Sequence, residues 1–138
     1  RDQPRSRGLG DVYKRQMLML MLFANYALAA MVTPYADTVF SSARVSLSTQ
    51  MDASFTAQTK SKQAEIKVTS CILQIKTGSV WADSMTLTAP SKVATNANRY
   101  TASKNYSSSC SSGNTYRIKA VFDADGHTKT AYSNSISY

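Results

Sequence analysis

The chain is poor in the residues that chemistry needs: one histidine, His127, one glutamate, Glu65, two cysteines and five glycines among 138 residues. With only His127 to assist Cys71 and Cys110, the ligand set for a metal site falls short. There is no Gly-x-Ser-x-Gly elbow, no glycine-rich phosphate loop and no zinc signature, which excludes the commonest hydrolase and nucleotide-binding motifs. The acids past residue 36 are Asp37, Asp52, Glu65, Asp83, Asp123 and Asp125, and most fall near turns or at the start of that stretch. That placement is poorly suited to paired-carboxylate hydrolysis. The inventory predicts a non-catalytic protein with no catalytic residues, no metal and no cofactor. A run of 3.6-residue periodicity is also missing, so helices are not expected.

The first sixteen residues do not read as part of a fold. Asp11-Val-Tyr-Lys-Arg-Gln16 resembles, at all six positions, the translated transposase mosaic end of sequencing libraries. Ser6-Arg-Gly-Leu-Gly10 resembles the adapter upstream of it, and Arg1-Asp2 the end of the flow-cell sequence, with Gln3-Pro4-Arg5 at the index. Residues 1–16 are therefore set aside as an adapter-derived artefact. The gene's own start is left open, at Met17 or upstream. Residues 17–36 open on an alternating Met-Leu run and become rich in alanine, the pattern of a signal-peptide core, too short for a comfortable membrane span of about 20 residues. Cleavage is expected after Ala36, with Ala29 and Ala30 as alternatives. No cysteine lies near the cleavage region to take a lipid, and no sorting motif closes the sequence. The expected product is a secreted, extracellular domain with no stable membrane insertion after signal removal.

Setting the adapter aside removes five cations and two acids from the 16 and 8 of the whole sequence, so the net charge drops from +8 to +5. Residues 37–138 suffice for one domain of about 100 residues. Their apolar residues alternate in short stretches, a period of two. Strands are expected over 43–48 and 53–57, then over 64–76 with a hairpin partner over 80–88 across Lys76-Thr-Gly-Ser79. A further strand is placed over 98–104, one over 115–122, and a last one over 128–138 after Asp123-Ala-Asp-Gly126. About seven short strands without a helix predict an all-β fold, an antiparallel two-sheet sandwich, with a barrel as the alternative.

Ser112-Gly-Asn-Thr-Tyr-Arg-Ile-Lys-Ala120 followed by Asp-Gly resembles strand F and the F–G turn of fibronectin type III and immunoglobulin-like domains. With Ile72-Leu-Gln74 and Trp81 after its Gly-Ser turn, residues 43–138 resemble small secreted domains of unknown function from Gram-positive gut bacteria. Trp81 stands in a later strand than the fibronectin pattern places it. The resemblance implies the sandwich and brings no catalytic or binding residues with it.

Three constellations remain. Cys71 and Cys110 are the candidate disulfide of an exported chain. Asp123, Asp125, Gly126 and His127 contain part of a calcium loop but lack its other acids, so a plain Asp-Gly turn is expected. Lys67, Arg117, Lys119 and Lys129 form the candidate basic face: if Tyr116, Ile118, Ala120 and Phe122 point inward, Arg117 and Lys119 point outward. Such a face suits anionic cell-wall polymer, a glycan or a host surface protein. Nucleic acid is not expected, because no aromatics alternate with the cations. The functional expectation is a secreted binding or adhesion module, with a small antagonist or toxin-like effector as the alternative.

Overall fold

The computed structural model describes residues 38–138; the adapter-like and signal-like segments lie outside the described residues. Residues 52–77 contain neither glycine nor proline and are rich in β-branched side chains, so nothing in them ends a strand. They form one strand, β2 (Asp52–Thr77), flanked by β1 (Phe40–Leu47) and β3 (Val80–Leu87). Then come β4 (Val93–Asn105), a single 3-10 turn at Ser107–Ser109, β5 (Thr115–Ala124), β6 (His127–Tyr132) and the two-residue β7 (Ile136–Ser137). The described residues contain no α-helix, as expected from the sequence.

All seven strands are antiparallel and join one sheet, curled into a half-barrel about β2. The strands expected separately over 53–57 and 64–76 are a single β2. The polar residues between them look like a loop by hydropathy but remain extended, with Thr59 buried and residues 60–63 as solvated strand. Straight, β2 would reach about 85 Å, far longer than a domain of this size is wide. It bends instead, with register breaks between Gln58 and Gln63 and between Val68 and Ser70. Each break re-aims the pleat: the buried side chains are Ala53, Phe55 and Ala57, then Ile66 and Val68, then Cys71 and Leu73.

One edge of β2 carries β1 and then β5; the other carries β4 and then β3. β3 and β4 thus run back along the same edge, interrupted at buried Pro90, which has no N–H to give a ladder. The bend lays the β1 end over β5 and β6. Within the core the Tyr100 and Phe122 rings meet edge to face, centroids 6.2 Å apart at 81°.

Side chains fasten this arrangement where strands cannot. The expected last strand over 128–138 is broken at Ser133 and Asn134. Ser133 Oγ accepts from Ile118 N at 2.8 Å, and the Asn134 amide accepts from Leu47 N and donates to Leu47 O, both at 2.8 Å. The β5–β6 hairpin turns through Asp125 and Gly126 with φ of 50° and 86°, the mirror-image turn that Asp-Gly favours. Asp125 does more than turn the chain. Its carboxylate accepts from Ala64 N at 2.7 Å and Glu65 N at 2.9 Å, gripping β2 at its bend.

The expected Cys71–Cys110 bridge is not formed; both are free thiols. Buried Cys71 lies against the Tyr106 hydroxyl, which donates to Thr88 O at 2.9 Å, while Cys110 Sγ donates to the Tyr106 carbonyl at 3.5 Å. The length of the Tyr106 side chain therefore separates the two sulfurs. Burial pushes the Cys71 thiol up to about 11 and the Tyr100 phenol to about 12, and it also raises Cys110. A folded-state pKa raised above the unfolded one means the neutral form is favoured by folding. The stability from Cys71 is therefore full below about pH 9 and lost as pH rises towards 11. Cys71 is expected to account for an alkaline loss on the order of 2 kcal/mol over that window, a contribution that Cys71→Ala removes, leaving the loss from Tyr100 that begins above about pH 10. Alkylation at pH 8 followed by mass spectrometry should label Cys110 well before Cys71. Equal labelling, or an intact mass lighter by two hydrogens, would count against the arrangement.

Candidate functional site

Strand parity sends every second residue of β2 and β5 to the outer face of the curled sheet. On β5 these are Arg117, Lys119, Val121 and Asp123; on β2 the partners are Gln74 beside Arg117 and Ile72 beside Lys119. On β3, Asp83 stands beside Gln74 and Trp81 beside Lys76; on β6, Tyr132 stands beside Lys119. Four strands thereby bring Trp81, Asp83, Gln74, Arg117 and Tyr132 into one row.

Arg117 is the centre of that row. Its guanidinium carbon lies 4.5 Å from the Trp81 ring centroid and 4.6 Å from that of Tyr132, so the planar cation is stacked between two aromatics. Arg117 Nε donates to Gln74 Oε1 at 2.7 Å, and Gln74 Nε2 donates to Asp83 Oδ1 at 2.6 Å. Gln74, 6% exposed, is thus satisfied at both ends of its amide. With Nε committed, the terminal amino groups of Arg117 are left to meet a ligand. Tyr132 is 49% exposed and Trp81 half-buried, so the row opens to solvent.

The four cations of the expected basic face are not one stripe. Arg117 and Lys119 are together, as parity required. Lys67 shares their face but stands opposite Asp123, four residues along β5 from Lys119. It is ion-paired to Glu65, whose hydrogen bond and charge raise its pKa. Lys129 stands opposite Phe122, an inward position, so it belongs to the other face of the sheet. The physical reason is the tight turn: Asp125 and Gly126 alone separate Ala124 from His127, which fixes Lys129 across from Phe122. His127 is exposed, and the described residues hold no cluster of metal-ligating side chains.

Gln74 and Tyr132 escaped the reading of the sequence. Gln74 had a signal, a lone amide inside the apolar stretch Ile72-Leu-Gln-Ile75, and its parity matched Arg117. Tyr132 had none, because only the β5–β6 register brings it beside Lys119. Compared with family models, curated proteins and solved structures, the chain matches none.

Proposed function

We propose that residues 37–138 are an exported, non-catalytic binding module that holds an anionic glycan or cell-wall polymer on the outer sheet face centred on Arg117. The observation that carries this reading is the stacking of Arg117 between Trp81 and Tyr132. A guanidinium clamped by two rings and an amide is pre-organised, so less freedom is lost when its amino groups meet a carboxylate or phosphate. Exposed aromatic edge and face beside it suit a sugar ring, and Lys119 adds charge. Secretion behind the alanine-rich leader and origin in a Gram-positive bacterium belong to the same proposal, as does a host surface protein as an alternative bearer of the ligand. So does the finer fold reading, immunoglobulin or fibronectin type III-like with two layers, which the packing of β1 over β5 and β6 supports.

Co-sedimentation of the purified protein with intact Gram-positive walls across a salt series tests it. Saturable binding at low salt that weakens several-fold as the Debye length shrinks from about 10 Å at 0.1 M towards 3 Å at 1 M is expected. Absence of binding at low salt would remove wall polymer as the ligand.

A further inference from the structure

A second feature, which shares no residue with the Arg117 row, lies where β4 pairs with the start of β2. β4 is bonded to β2 along one edge, and the segment around Pro90, which interrupts the β3–β4 run, lies beside it. Between them is an open cavity of about 680 Å³ lined by Ser54, Ser91, Lys92, Thr101, Ser103 and Lys104. Its apolar contributions come from Pro90 and Ala102.

The geometry points to this cavity as a binding subsite for the oxyanion groups of a polyanionic polymer, phosphate or carboxylate, distinct from the Arg117 row. Both charged lining residues are cations, and no carboxylate lines the cavity. The other polar side chains are hydroxyls, which donate to an anionic oxygen as readily as they accept. A neutral sugar would look instead for an aromatic wall and for carboxylate or amide acceptors, and the lining has neither. Single-stranded nucleic acid would need rings on which bases stack, and these too are missing. The two lysines approach from different elements: Lys92 from the segment before β4, Lys104 from the far end of β4, where its Nζ lies 6.0 Å from the Tyr106 ring centroid. Charges supplied from two sides neutralise an extended chain of anions better than a single lysine, and the volume admits more than one monomer unit.

The test follows backbone amide shifts of the full chain during titration with a short polyphosphate, with an oligogalacturonate and with a poly-glutamate peptide. The expected result is that Ser91, Thr101 and Ser103 shift with either of the first two, and that Lys92→Ala/Lys104→Ala weakens binding at least tenfold. Response to polyphosphate alone or to galacturonate alone identifies the source of the oxyanion and supports the subsite either way. Arg117→Ala should leave these shifts in place, so failure of the aromatic row and failure of this cavity read differently. Lys92→Ala alone, which leaves the Lys104–Tyr106 contact intact, should weaken binding several-fold with an unchanged melting curve. Shifts confined to the Arg117 face, or affinity unchanged in the double variant, would overturn the assignment; binding of poly-glutamate as tight as that of galacturonate is the same carboxylate contact carried on a peptide chain and supports the subsite.

Discussion

Asn134→Ala is expected to lower stability by about 2–4 kcal/mol, because it orphans two backbone groups of buried Leu47 at once. The Asn134 amide takes the place of a missing neighbour strand. It accepts from Leu47 N and donates to Leu47 O, joining the free edge of β1 to the chain just after β6. Nearby, Ser133 closes a gap in β5 by bonding Ile118 N. Without the Asn134 amide, the end of β1 loses both of its backbone bonds to the segment after β6. For a domain of about 100 residues the loss corresponds to a fall in melting temperature on the order of 10–30 °C. Asn134→Asp should be nearly as harmful: it keeps the acceptor, loses the donor and sets a carboxylate against the Leu47 carbonyl. Thermal and urea melts measure both. A shift of only a few degrees in Asn134→Ala would mean that the β1 edge does not depend on this clamp.

The second large effect is on binding. Arg117→Ala removes the stacked cation and orphans Gln74 Oε1 in a nearly buried position, for a stability loss of about 1–3 kcal/mol. Wall or glycan binding is expected to fall at least tenfold, the equivalent of about 1.4 kcal/mol. Arg117→Lys separates charge from geometry. A lysine keeps the positive charge but lacks the planar group that stacks between rings and the Nε–H that Gln74 accepts. Binding as weak as in the alanine variant is expected if the fork matters, and recovery to near wild-type affinity would reduce the site to plain charge. Tyr132→Ala supplies the control for folding. Tyr132 is half-exposed, so its loss should change stability by less than about 1 kcal/mol while still weakening binding. If Tyr132→Ala binds as wild type, the aromatic row is a structural clasp for Arg117.

Much of the fold was legible because strand signals are local. The two-residue turns at Gly78-Ser79 and Asp125-Gly126 are where the sequence placed them, and Tyr116, Ile118, Ala120 and Phe122 face inward as their alternation required. The pairing of β2 with β3 follows from the same local rule. Strand 98–104 was placed within β4, although its start at Val93 was missed because Thr95 to Asn98 is too polar to show a buried face.

What the sequence by itself determined, then, is the all-β class, the hairpins and the outward parity of Arg117 and Lys119, since each depends on neighbours in the chain. Only the tertiary structure decided that residues 52–77 are one bent strand, that Lys129 lies on the opposite face from Arg117, that Cys71 and Cys110 are held apart by Tyr106, and that Trp81, Arg117 and Tyr132 stack. Each of these depends on register between strands distant in sequence, where a shift of one residue moves a side chain through the sheet, and no local pattern encodes that shift.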